Sequence, residues 1–369
     1  MALRSRGRPP GIRVQPHPLH PAPSVDVRVD TDRADQRAEL LCDWIATTLH
    51  TRDFEFAPAS ADASFRRYFR LTFPSTALGA HTLVAMDAPP PNEDCRPFVR
   101  VAALLRDAGL HAPVVHAQDL ERGFLLLSDL GSTTYLAALD EHNADTLFAD
   151  ATDALVQWQL ATREGVLPPY DDALLRRELA LFPDWYLARH LGVTLGADER
   201  ASLHGVFDLL VQDHLAQPQV YVHRDYMPRN LMLARPNPGV LDFQDAVIGP
   251  ISYDVASLFK DAFISWPEER CLDWTIRYWE KARAARLPVD PDFAAFFRAL
   301  EWMGLQRHLK VLGIFARICH RDGKPAYVAD TPRFLDYARP VANRYRELAP
   351  LARLLDSLDA RPRGAGHTF

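Results

Sequence analysis

Val222-His-Arg-Asp-Tyr-Met-Pro-Arg-Asn-Leu-Met232, followed by Val240-Leu-Asp-Phe-Gln-Asp245, is the stretch on which the fold of this 369-residue chain turns. Three polar residues in it share an informative spacing: Asp225, Asn230 five positions on, and Asp242 across a turn. The turn is Arg235-Pro-Asn-Pro-Gly239, and the apolar runs Leu231-Met-Leu233 and Val240-Leu241 beside it read as the strands of a hairpin. Phosphoryl transfer needs an acceptor that orients an attacking hydroxyl and takes its proton, plus oxygen ligands that hold Mg²⁺ against the transferring phosphates. Asp225 suits the first task. Asn230 and Asp242 suit the second, so all three are expected to be catalytic and the latter two to bind metal. His223 is expected to brace the loop rather than react. Each acid taken singly would read as a cap or a solvated charge; the order of loop, hairpin and acidic pair favours the chemical reading.

Upstream of this stretch the chain alternates with period two. Phe65, Arg67, Phe69, Leu71 and Phe73 fall on one face of a strand, and Arg66, Tyr68, Arg70 and Thr72 on the other. Further strands are expected at 82–86, 112–116 and 123–128. A first helix is expected over 33–49, with Leu40, Leu41, Trp44, Ile45 and Leu49 inward. A second is expected over 92–108, with Phe98, Val101, Ala102 and Leu105 inward and Gly109 as its stop. After Gly131 the pattern turns helical: Leu147, Ala151, Ala154, Leu155 and Trp158 share a face, and helices are expected near 172–190, 198–215, 268–284 and 291–318, interrupted only by the hairpin. The spacing therefore predicts an α+β chain, with a small antiparallel-sheet lobe at 31–130 and a helical lobe at 131–369.

Composition excludes several classes. A 48% hydrophobic content suits a large core, and the net charge of −6, with basic residues scattered, gives no footprint for nucleic acid. Cys42, Cys95, Cys271 and Cys319 fit no zinc or redox spacing and read as free thiols of a reducing compartment. Residues 1–30, rich in Pro and Arg, read as a disordered leader without a signal-peptide apolar core. No run nears the roughly 18 consecutive apolar residues of a membrane span. A cytoplasmic location with no nucleic-acid or membrane partner is expected; the oligomeric state is not legible.

The motif His223-Arg-Asp225 with Asn230, and the following Asp242, resembles the H-x-D-x-x-x-x-N pattern and metal-binding aspartate of the aminoglycoside phosphotransferase, choline kinase and protein kinase-like enzymes. The likeness covers nearly the whole chain after the leader and implies a two-lobed protein kinase-like fold using ATP and Mg²⁺. Leu127-Ser-Asp-Leu-Gly131 is similar to the hinge that meets adenine, which implies nucleotide contacts at Asp129 and Leu130. Gly249-Pro-Ile-Ser-Tyr-Asp254 resembles the helix start whose aspartate buttresses the catalytic loop. A narrower resemblance, carried by Ser64-Phe-Arg-Arg-Tyr-Phe-Arg70, Val84-Ala-Met-Asp-Ala-Pro-Pro90, Val240–Ala246 and Gly304-Leu-Gln-Arg-His-Leu-Lys-Val-Leu-Gly-Ile-Phe315, is to the anomeric N-acetylmuramate and N-acetylglucosamine kinases of peptidoglycan recycling. It implies an amino-sugar substrate and a sugar 1-phosphate product.

Two positions depart from the wider kinase pattern: Met86 stands where many kinases carry a phosphate-binding lysine, and Met227 where protein kinases carry a catalytic-loop lysine. Arg66 and Arg70 share a strand face, and either one reaching the phosphates or both lying along the sheet surface fits the pattern. Ser64 and the amides of Phe65 and Arg66 are the expected phosphate cover. Gln306, Arg307, His308 and Lys310 interrupt the apolar pattern of Met303, Leu305, Leu309, Leu312 and Phe315. They read either as a solvated face or, given the resemblance, as a sugar site in which Gln306, Arg307 and His308 bind acetamido or lactyl oxygens. His308 suits a hydrogen-bonded core histidine equally well.

Overall fold

The computed structural model describes residues 28–60 and 65–360. They divide into two compact units that do not follow chain order: a sheet unit running to Ala138 and rejoined by Arg229–Asp245, and a helical unit of Leu139–Pro228 and the chain from Ala246 onward.

The sheet unit contains α1 (Arg28–Leu49), β1 (Glu55–Ser60), β2 (Arg67–Ala77), β3 (Ala80–Asp87), α2 (Arg96–Asp107), β4 (Val115–Asp119), β5 (Phe124–Ser128) and α3 (Tyr135–Ala138). Its five strands are antiparallel in the order β1-β2-β3-β5-β4. The period-two reading of β2 holds: Phe69, Leu71 and Phe73 enter a core with Leu83, Ala85, Phe124 and Leu126, while Arg70 lies on the other face. Leu41 and Ile45 of α1, four residues apart, close that core. Leu40 lies one position off this stripe and is 50% exposed, against expectation. Helix α1 starts at Arg28, so residues 28–30 of the expected leader are helical, whereas 1–27 lie outside the described residues. Strand β1 was not expected. It is an edge strand carrying Pro58, whose missing N–H is tolerated only at an edge, with a bulge between Pro58 and Ser60.

The helical unit contains α4 (Ala144–Leu160), α5 (Asp172–Leu181), α6 (Ala197–Ala216) and β6 (Gln219–Val222). The chain then forms the hairpin β7 (Leu231–Met232) and β8 (Gly239–Val240), which belongs to the sheet unit. It returns as β9 (Val247–Pro250), α7 (Tyr253–Phe259), α8 (Glu268–Ala284), α9 (Phe293–Asp322), α10 (Thr331–Arg344) and α11 (Ala349–Ala360). The sequence predicts the hairpin as the only interruption of the helices, but β6 and β9 also pair antiparallel, Val220 opposite Gly249 and Val222 opposite Val247. Four-residue strands are too short to show alternation, which is why their pattern was silent. The helix expected over 172–190 changes at Phe182 into a π-helical stretch, Phe182–His190. Pro183 explains the change, since it has no N–H and its ring clashes with the carbonyl four residues back.

Helix α9 organises this unit. Asp292 caps it by accepting from the Ala294 amide at 2.9 Å, and Gly323 ends it in the left-handed conformation at φ +67°. At Gly313 it lies so close to the end of α5 that a Cβ would stand 2.3 Å from the Leu181 carbonyl oxygen. Only glycine permits that approach. Among the described residues no helix is long and apolar enough to cross a membrane.

Candidate active site

Asp225 lies in the loop after β6. The preceding residue, Arg224, takes φ +76°, an unfavourable conformation for a side-chain-bearing residue. Asp254, fully buried at the start of α7, holds the bend: its Oδ2 accepts from the His223 amide at 2.7 Å and its Oδ1 from the Arg224 amide at 3.0 Å. Burial pushes the Asp254 carboxyl up to about 7, against the two amides and Arg307, which pull it down. His223 is buried and its Nδ1 accepts from the Asp225 amide at 3.3 Å. The loop thus presents Asp225 with its side chain 40% exposed and the guanidinium of Arg307 behind it, Nη2 to Oδ1 3.8 Å.

Beneath the loop lies a buried ionic network. Glu178 of α5 takes Arg224 Nη2 at 2.6 Å and Lys310 Nζ at 2.9 Å on one oxygen and the Tyr170 hydroxyl on the other. Lys310 also donates to the Tyr253 hydroxyl at 3.2 Å. Burial raises the Glu178 carboxyl, but Lys310 and Arg224 outweigh it and hold the group below the usual carboxylate range. Burial likewise opposes the charge on Lys310, and Tyr253 and Glu178 raise it above its ordinary value.

The candidates on α9 are not a solvated face. Gln306, Arg307 and His308 are each at most 2% exposed. Gln306 Nε2 donates to the Tyr170 hydroxyl at 3.5 Å, while its Oε1 has no partner among the described residues. Arg307 Nε and Nη1 likewise have none. His308 also leaves its Nδ1 without one. Its ring stacks on Tyr337 at 4.8 Å, its Nε2 lies 3.4 Å from the Lys260 carbonyl, and burial, then the charges of Lys260 and Arg307, drive its pKa well below the ordinary value. It is a packed, buried histidine with one ring nitrogen held and the other open.

In the sheet unit the hairpin pairs Leu231 with Val240 and Met232 with Gly239, and the Leu241 amide donates to the Asn230 carbonyl at 2.9 Å. This closure sets Asn230 Nδ2 3.3 Å from Asp242 Oδ2. Asp242 adopts φ +60°, is exposed, and accepts from Gln244 Nε2 at 2.9 Å. An amide and a carboxylate converging on one point form a hard-oxygen pair that suits Mg²⁺, which keeps several waters and needs few protein ligands; rotation of the Asn230 amide turns Oδ1 to that point. The positive φ aims Asp242 out of the hairpin while its neighbour Phe243 packs on Phe98 at 4.7 Å.

Of the expected nucleotide residues, Ser64 lies outside the described residues. Phe65 is 66% exposed. Arg66 pairs with Glu93, Nη2 to Oε2 2.8 Å, both largely buried. Arg70 grips Asp129 with two bonds, 2.7 and 3.0 Å, and donates to the Gly131 carbonyl at 2.8 Å. Burial raises the Asp129 carboxyl, but Arg70, the Gly131 amide and Thr82 together lower it. Asp129 and Leu130 line a cavity of about 320 Å³ with Val114, Ser128, His111 and Pro236. The sequence reading missed Glu178 and Glu93. Glu178 carried a signal, since it falls beside Leu175 and Leu179 on the buried stripe of α5, where an unpaired acid would be out of place.

The phosphotransferase enzyme family matches residues 55–297. An N-acetylmuramate/N-acetylglucosamine kinase of Pseudomonas aeruginosa is 61% identical over 84% of this chain and 90% of its own. One of Neisseria meningitidis is 51% identical over 88% of this chain and 96% of its own. Among solved structures, a choline kinase from Streptococcus pneumoniae superposes with a TM-score of 0.58 at 13% identity, over 81% of this chain and 98% of its own. An ADP-bound aminoglycoside phosphotransferase gives 0.55 at 14%, over 80% and 96%. The two structures share the fold alone; the extent of the family match and of the close relatives shows that this chain belongs to the phosphotransferase enzyme family and is an ATP-dependent kinase of protein kinase-like fold.

Proposed function

We propose that the chain transfers the terminal phosphoryl group of ATP to the anomeric hydroxyl of N-acetylmuramate, N-acetylglucosamine or both, giving the sugar 1-phosphate during peptidoglycan recycling. The substrate class follows the kinase relatives at 51–61% identity. The reaction step rests on one observation: Asp225, half open to solvent, stands on a loop pinned by Asp254 and backed by the buried Arg307. Asp225 orients the anomeric hydroxyl and accepts its proton as the new P–O bond forms. Arg307 stabilises the carboxylate and the charge developing beside it. Asn230 and Asp242 hold Mg²⁺, which when bound neutralises the phosphates. Asp129 and Leu130 receive the adenine, Phe65 and Arg66 with Ser64 the phosphates, and Arg70 shapes Asp129. ATP use and the free thiols Cys42, Cys95, Cys271 and Cys319 suit the cytoplasm.

The test is phosphorus-31 NMR of the purified chain with Mg-ATP and each sugar, repeated with Asp225→Asn. A sugar 1-phosphate signal made by the wild type and not by the variant is expected. Bound ATP without product from either sugar would overturn the substrate reading, and aminoglycoside, choline and homoserine would then be tried as acceptors; no turnover of any acceptor would leave an ATP-binding regulator.

A further inference from the structure

Lys260 through Ser265, the segment leaving α7, is held from several sides. Arg333 Nη1 donates to the Ala262 carbonyl at 3.1 Å, the Tyr337 hydroxyl bonds Ser265 Oγ at 2.8 Å, and His308 lies against the Lys260 carbonyl. Within it Asp261 is 1% exposed. Its Oδ1 accepts from the Phe263 amide at 2.6 Å and the Ile264 amide at 3.0 Å, whereas its Oδ2 has no partner among the described residues. One residue before His308, Arg307 is buried with two open donors, Nε and Nη1, and its third nitrogen toward Asp225. The two side chains are near enough for the Arg307 charge to pull the Asp261 carboxyl down against the burial that raises it.

A buried cation with two unused N–H groups and a buried carboxylate with one unused oxygen are complementary to a ligand group that offers an acceptor and a donor together. A secondary amide does so on one plane, C=O at one end and N–H at the other. Resting on the sugar-kinase reading above, we infer that Arg307 and Asp261 form the subsite for the acetamido group of the acceptor sugar: one of the open Arg307 donors, Nε or Nη1, donates to its carbonyl oxygen, and Asp261 Oδ2 accepts its N–H. One open Arg307 donor is enough for the carbonyl oxygen, because Nε and Nη1 lie on different edges of the guanidinium and do not meet on one atom. N-acetylmuramate and N-acetylglucosamine carry the same acetamido group and differ in the lactyl ether. A site that reads the shared group accepts both.

Asp261→Asn tests this in the full-length enzyme. It keeps an oxygen for the Phe263 and Ile264 amides and turns an NH₂ toward the substrate N–H. Steady-state kinetics would be taken with N-acetylglucosamine and 2-deoxyglucose, which has no group at C2, at saturating Mg-ATP. The KM for N-acetylglucosamine should rise about tenfold or more, with kcat changed less than about threefold and the KM for ATP and the kinetics of 2-deoxyglucose unmoved, as for a site built around a polar group. Arg307→Lys, which keeps the charge but removes the forked donors, should also narrow the preference for the acetylated sugar, and covers the case in which Asp261→Asn melts before assay. An unchanged preference in a folded variant, or equal losses on both sugars, would overturn the subsite while leaving the kinase reading intact. A wild type that phosphorylates no N-acetyl sugar would overturn both.

Discussion

In the sheet unit the candidate side chains are already paired with one another: Arg66 with Glu93, Arg70 with Asp129 and Gly131, Asn230 with Asp242. On α9 of the helical unit, Gln306 and Arg307 are more deeply buried yet keep unused hydrogen-bonding atoms, as does Asp261. The difference is one of preparation. Paired side chains hold their geometry without a ligand, whereas buried open valences are costly unless something fills them. The contrast runs parallel to the roles proposed above, with the paired residues assigned to the nucleotide and the open ones to the acceptor.

The sharpest way to break the contrast is to remove one charge from each unit. Asp225→Asn and Asp242→Asn should each lower kcat by a factor on the order of 10²–10⁴ in a coupled ADP-release assay, because catalysis of this kind is positioning and charge neutralisation. An Asp225→Asn enzyme with wild-type kcat would remove the acceptor role. Next in size, Glu178→Ala leaves Arg224 and Lys310 buried without their carboxylate and should destabilise the fold by about 3–5 kcal/mol in urea unfolding. A loss below about 1 kcal/mol would show that the network is not closed as described. On the sheet side, a double-mutant cycle of Arg70→Gln with Asp129→Asn should give a coupling of about 1 kcal/mol, reduced because Arg70 is partly exposed. No coupling would erase the preparedness ascribed to that unit.

A separate expected effect is a pH slope. The folded-state pKa of Asp254, about 7, lies above the unfolded value of about 3.9. The folded state therefore binds the proton more tightly. Its contribution to stability is fully present below about pH 4 and is lost as pH rises through about 7. Asp254→Asn does not titrate, so the stability of wild type relative to the variant should fall between about pH 4 and 7 and level off above it. A flat difference would mean that the His223 and Arg224 amides keep the group ionised throughout.

Much of this was legible in the sequence where a pattern had length. The alternation of β2 and the helix of Glu268–Ala284 are long enough to speak for themselves. Strand β1 and the β6–β9 pair were not, because runs of four to six residues are too short to carry a period. On α9 the sequence showed polar interruptions but not their direction. Burial resolved it, sending His308 to Tyr337 and leaving Arg307 behind Asp225. Pairings such as Glu178 with Lys310, 132 positions apart, come from tertiary packing and have no local trace.

The close approach at Gly313 bears on how this kinase can change its acceptor over evolutionary time. With the α9 backbone pressed on the Leu181 carbonyl, the helix cannot slide or roll by a turn without a collision. Gln306 and Arg307, two turns earlier, therefore keep their height beside the catalytic loop. New specificities in this lineage are expected to arise by exchanging side chains around a fixed helix, so related kinases with other acceptors should retain a glycine at this contact and vary at the positions of Asp261 and Gln306.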